Sequence, residues 1–103
     1  MAVSEASVRL GEAGELHLAG VLDYSTGAAL RKQGQALIKS SSATALVVDC
    51  SAVEKSSSVG LALLLAFMRD AAQLGKSFSI RGMSREMREI AEVSELTELL
   101  GVH

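Results

Sequence analysis

The chain is short of aromatic rings, cysteine and long apolar runs, and each shortage removes a class of function. It has two Phe, one Tyr and no Trp, and its net charge is -2. A nucleic-acid binder needs a basic face and stacking rings, so that class is excluded. Cys50 stands alone, which rules out an internal disulfide or a multi-cysteine zinc site. Lying at the end of an apolar strand, it reads as a small buried residue. His17 and His103 are far apart and lack ligand-spaced neighbours, so no metal is expected. The longest uninterrupted apolar run, residues 61 to 68, has eight residues against the ~20 that span a bilayer, so no membrane insertion is expected. The first five residues, Met-Ala-Val-Ser-Glu, have neither a basic nor an apolar signal region, which points to the cytoplasm.

What is present is a folded composition. Of 103 residues, 49% are apolar and 21% charged, enough for one two-layer core and too few for two, so residues 1 to 103 read as one domain. Residues 6 to 11 and 15 to 22 alternate apolar and polar around Gly11 and Gly14, predicting an antiparallel hairpin with His17 turned to the surface. A helix follows through Ala28, Leu30, Ala36, Leu37 and Ile38, with Asp23 or Ser25 able to cap it. Residues 39 to 44 read as a solvated loop. Residues 45 to 50 form an apolar run that suits a strand covered on both faces, and residues 51 to 57 read as a loop. A long helix from about 58 to 74 stops at Gly75, and residues 77 to 81 alternate as a strand. Ser84 can cap a third helix with the stripe Met87, Ile90, Ala91 and Val93, and residues 95 to 100 add a last helical turn. This order predicts an α/β fold: a mixed four-stranded sheet with three to four helices on it and the 45-to-50 strand between parallel neighbours.

The stretch from Asp49 to Met68 organises the rest. Ser57 or Ser58 is the natural N-cap of the long helix, and free amides with the helix dipole favour an anion there. Leu61, Leu64, Leu65, Met68, Ala71 and Ala72 make the stripe a helix needs to lie on a sheet. Val59, Ala62, Leu63, Ala66 and Phe67 fall outside it, so the first half of the helix is apolar nearly all round. Either neighbouring helices bury these residues, or Val59, Leu63 and Phe67 line a docking patch beside the serines. Gly60 fits both, since a missing side chain admits close approach.

Nothing here amounts to catalysis. Glycine-rich phosphate cradles and a Gly-x-Ser-x-Gly elbow are absent, and neither histidine sits where it would activate a serine. Asp23, Asp49 and Glu54 supply carboxylates; Asp49, at a strand end beside a helix start, is expected to bond loop amides. A binding or regulatory module without a cofactor is the better class.

The residues Gly20-Val-Leu-Asp23 with Thr26 and Leu30, Asp49-Cys-Ser51-Ala-Val53, Ser58-x-Gly60-Leu61 and Gly75-Lys76 make the chain resemble the STAS domain family. That family includes anti-sigma-factor antagonists and a small subunit of bacterial lipid-transporting ABC systems. Residues 60 to 65 and 95 to 100 are similar to the Mla, or toluene-tolerance, branch. The resemblance implies a subunit bound to the transporter's ATPase at the cytoplasmic face of the inner membrane. It also implies that Ser58 takes the family's Ser/Thr position, phosphorylated in the sigma-regulating branch and a partner contact in the transporter branch. Ser58, Val59, Gly60, Ala62, Leu63 and Phe67 are then the expected partner-binding residues, with Asp23, Asp49 and Ser51 supporting the loops. Where the family usually has Asp before that hydroxyl, this chain has Ser57. The alternative is an antagonist recognised by an anti-sigma kinase and switched by phosphate on Ser58.

Overall fold

The computed structural model describes residues 6 to 100. Its elements are β1 (Ser7–Leu10), β2 (Leu16–Leu22), α1 (Gly27–Ser40), β3 (Ala45–Ser56), α2 (Ser58–Gln73), β4 (Ser77–Arg81), α3 (Arg85–Val93) and α4 (Thr97–Leu100). The strands form one mixed sheet in the order β1-β2-β3-β4, with β1 antiparallel to β2 and β3 parallel to both neighbours. The α/β fold and the central place of β3 are as the sequence predicts. Gly14, at φ 84°, makes the hairpin turn, and its amide donates to the Gly11 carbonyl at 3.1 Å.

Burial alternates strictly along β2, with Leu16, Leu18 and Leu22 buried and His17 and Val21 half-buried. The same alternation holds over Leu46, Val48 and Cys50 in β3. This corrects the expected double covering of β3. Its second face carries the half-buried Val47 and Asp49, and the helical layer packs on the other face, where Leu61, Leu64, Phe67 and Ala71 of α2 join the strand residues in one core.

On the barer face an ionisable row crosses all four strands, because Arg9 pairs with His17, His17 with Asp49, and Asp49 with Arg81. His17 is therefore half-buried rather than fully at the surface, with Nδ1 3.8 Å from Asp49 and Nε2 3.6 Å from Glu15.

Three further expectations are corrected. Residues 51 to 56 are strand, not loop: Ala52, Val53, Lys55 and Ser56 continue the ladder with β2 across two register shifts, eased by Gly20 at φ 87°. Neither Asp23 nor Ser25 caps α1, whose N-cap is Thr26 without a side-chain cap bond. Thr26 Oγ1 instead donates to the Val21 carbonyl at 3.0 Å and accepts from the Asp23 amide at 3.0 Å, fastening the β2–α1 corner. Val93 leaves the α3 stripe and is 86% exposed, while Met87 and Ala91 are buried.

Ser84 caps α3, accepting from the Met87 amide at 3.1 Å. At the other end of the molecule, Lys76 Nζ donates to the carbonyls of Ser41 at 2.8 Å and Ala43 at 2.5 Å, tying the α1–β3 loop to the end of α2. Among the described residues no helix is long and apolar enough to cross a membrane.

Candidate functional site

The ends of β2 and β3 deliver two corners side by side: residues 23 to 26 leading into α1, and residues 56 to 58 leading into α2. Ser57 is the N-cap of α2. Its extended backbone lets the hydroxyl accept from the Val59 amide at 3.1 Å, while its own amide donates to the Leu22 carbonyl at 3.1 Å. Of the two serines offered as caps, Ser57 alone takes that role. Ser58 is the first residue of α2 and is exposed. Ser56 is buried, and its hydroxyl donates to the Ser57 carbonyl at 2.9 Å. The hydroxyl predicted to meet a partner is thus at the surface, and its two neighbours hold the helix start in place.

Carboxylates lie beside this corner. Asp23 accepts from the Ser25 hydroxyl at 2.6 Å and the Ser25 amide at 2.9 Å, and these bonds hold its pKa below the usual carboxylate value. Glu86 of α3 accepts from the Ser56 amide at 3.5 Å. Asp49 is set back from the corner on the barer sheet face. It accepts from the Ser51 amide at 2.8 Å and from Arg81 Nε at 2.9 Å. The Ser51 hydroxyl and amide, and then Arg81, pull its pKa down to about 2. The expected amide bond of Asp49 is present, made within a strand rather than a loop.

The apolar excess of α2 divides between the two readings left open by the sequence. Phe67 is fully buried against α1, where Gly34 makes room for its ring. It has no surface to offer a partner, and its place in a docking patch is corrected. Gly60 is buried as well: a Cβ there would lie 2.0 Å from Ser56 Oγ and 3.3 Å from Leu22 Cδ1. Its missing side chain seats the helix start on the sheet rather than admitting a second molecule.

Val59, Ala62 and Ala66 keep exposed surface. With Leu63, which is only 4% exposed, they form one wall of a groove of about 370 Å³. The opposite wall is Gly27, Ala28 and Arg31 of α1, with Tyr24 at the mouth, 89% exposed. Arg31 Nη1 and Nη2 both bond the Asp70 carboxylate, the second at 3.3 Å, joining α1 to α2 at the end of the groove. Asp70 is 6% exposed, so the pair closes off a buried charge.

Tyr24, Gly27, Ala28 and Arg31 are site residues that the sequence reading missed. A short polar segment before a helix with an ordinary polar face carries no mark of what the neighbouring helix will leave uncovered. Tyr24, the one tyrosine in a chain with only two other aromatics, is the one mark the sequence carries there.

The chain matches the family model described as "Mlab, STAS domain" over residues 6–101. No curated protein matches it. Among solved structures it is similar to a chain of the Acinetobacter MlaFEDB complex in an ATP-bound conformation, at 24% identity and TM-score 0.81, covering 94% of this chain and 99% of that one. An anti-sigma factor antagonist from Mycobacterium paratuberculosis is similar at 24% identity and TM-score 0.77, with 98% and 86% covered. The phosphorylated form of the Bacillus cell-fate determinant SpoIIAA is similar at 18% identity and TM-score 0.65, with 91% and 86% covered. At such identities these likenesses establish the fold, and the family model adds the lineage. With the four-stranded mixed sheet, the capped α2 and the matched span taken together, the chain belongs to the STAS domain family.

Proposed function

We propose that the chain is a non-catalytic subunit of a phospholipid-transporting ABC system of the Mla type, bound to the transporter's ATPase at the cytoplasmic face of the inner membrane. The observation that carries this reading is the match of the Mlab-type STAS model to residues 6–101. The geometry supports contact through the start of α2. Ser58, Val59 and Ala62 retain surface there, and the groove beside them is apolar. Co-expression with the ATPase of such a transporter is expected to yield a stable complex. Ser58→Glu combined with Ala62→Glu should disrupt it, since two charges would enter an apolar contact. A complex that survives both substitutions overturns this interface.

A second reading, an anti-sigma-factor antagonist switched by an anti-sigma kinase, is favoured by the fold shared with SpoIIAA and by the exposed Ser58 hydroxyl. Phosphate would add roughly -2 charges at the helix start. The family's Asp before this hydroxyl, which would assist phosphoryl transfer or kinase recognition, is Ser57 in this chain. The transporter reading therefore comes first. A mass gain with a cognate kinase and ATP that disappears in Ser58→Ala would reverse the order.

A further inference from the structure

The turn from β2 into α1 is fastened on both sides of Tyr24. Thr26 Oγ1 donates to the Val21 carbonyl and accepts from the Asp23 amide, each at 3.0 Å. The Asp23 carbonyl accepts from the Gly27 amide at 2.9 Å and from the Thr26 amide at 3.2 Å. Tyr24 lies inside this turn and is 89% exposed, and its hydroxyl bonds none of the described residues. The other two aromatic residues turn inward, Phe67 fully buried and Phe78 half-buried. A tyrosine has few torsions to fix, so a ring displayed on a pinned turn loses little freedom when a partner covers it.

The carboxylate next to that ring is only half engaged. The bonds Asp23 accepts from the Ser25 amide, the Ser25 hydroxyl and, at 3.5 Å, the Thr26 hydroxyl all fall on Oδ1. Among the described residues Oδ2 accepts none. The Ser25 bonds hold the pKa of Asp23 below the usual carboxylate value, so the group is charged at neutral pH. Lys55 lines the same cleft and forms no ion pair with it. A charged carboxylate with one open oxygen beside an uncovered ring is the complement of a guanidinium, which lays its flat face on the ring and gives N–H donors to the oxygen. A lysine ammonium, a hydrated point charge, matches the carboxylate and not the ring.

This turn adjoins the start of α2. The Leu22 carbonyl, just before Asp23, accepts the Ser57 amide at 3.1 Å, and a Cβ on Gly27 would stand 2.8 Å from Val59 Cγ1. We infer that an arginine of the partner subunit stacks on Tyr24 and donates to Asp23 Oδ2, so that the β2–α1 turn extends the contact made by Ser58 and Val59. This rests on the transporter reading, with the ATPase subunit as the partner.

The test compares affinities of the purified chain and its variants for that ATPase subunit at low and high salt, with thermal melts confirming folding. Tyr24→Leu keeps an apolar side chain and loses the ring face, and affinity is expected to fall roughly fivefold to thirtyfold. Tyr24→Phe keeps the ring and should bind about as the parent does. Asp23→Asn keeps an oxygen for Ser25 and removes the charge; affinity should fall by a similar factor and depend less on salt. Val93→Ala removes an apolar side chain that is 86% exposed on α3, and should bind as the parent does. No complex with the parent chain overturns the transporter reading and this inference together. A complex indifferent to both Tyr24→Leu and Asp23→Asn overturns the inference and leaves that reading standing. Loss at one of the two positions without the other, or an unchanged salt dependence in Asp23→Asn, overturns arginine as the occupant. A loss in Tyr24→Phe as large as in Tyr24→Leu assigns the contact to the hydroxyl and overturns the stacking.

Discussion

Gly34 of α1 faces the ring of Phe67 of α2 so closely that a Cβ at position 34 would stand 2.3 Å from Cε1 and 2.4 Å from Cζ. The contact explains how a helix with too many apolar residues stays folded in so small a domain: α1 comes close enough to bury Phe67 and Leu63, leaving Val59, Ala62 and Ala66 for the groove. Glycine in a helix interior ordinarily costs about 1 kcal/mol against alanine, so Gly34→Ala should stabilise if propensity decided the outcome. The ring is fully buried and cannot swing clear, so overpacking wins. Urea unfolding of Gly34→Ala is expected to show a net loss of about 1 to 3 kcal/mol. Trimming the ring by adding Phe67→Leu should recover part of it.

That contact also marks the limit of what the sequence discloses. The strands, the order of elements and the end of α2 at Gly75 are legible because alternation, helical spacing and glycine act locally. Asp49 was readable too, as its bond to Ser51 spans two residues. The groove was not readable, because whether Phe67 is core or surface depends on Gly34, a residue with no pattern of its own, 33 positions away along the chain. Residues 51 to 56 misled for the same reason. Ser-Ala-Val-Glu-Lys-Ser is polar in composition like a loop, and only β2, across two register shifts, makes it strand.

Asp49 should make stability depend on acid. Its pKa is about 2 when folded against 3.8 unfolded, so the folded chain binds this proton more weakly. The contribution is complete above the unfolded value and is lost as pH falls from about 4 through 2. Arg81 is half-exposed and screened, which brings the expected contribution to about 1 to 2 kcal/mol. Asp49→Asn should be less stable than the parent at pH 7, and the gap should close near pH 2. A stability gap as large at pH 2 as at pH 7 would contradict the assignment.

Lys76 is expected to act as a tie rather than a surface charge. Its ammonium bonds two carbonyls, of Ser41 and Ala43, that otherwise rely on water. Lys76→Met keeps the apolar stem and removes both bonds, for a loss of about 1 to 2 kcal/mol. Hydrogen exchange should rise first in residues 41 to 44, where the loop joins β3. Unchanged protection there would show that the loop holds without the lysine.

The adjacent serines at the start of α2 should separate cleanly into anchor and surface. Ser57 Oγ accepts the Val59 amide, so Ser57→Ala should cost about 1 kcal/mol, while Ser57→Asp, whose carboxylate can cap the same amide, should retain most of the stability. Ser58 is exposed within the first turn, and Ser58→Ala should stay within about 0.5 kcal/mol of the parent. If the transporter reading holds, binding to the ATPase subunit should reverse that ranking. Substituting Ser58 would then weaken the complex without a matching loss of stability, whereas Ser57→Ala would weaken it only as far as the helix start frays. Equal stability losses at both positions, measured by chemical unfolding, would rule out this division of labour.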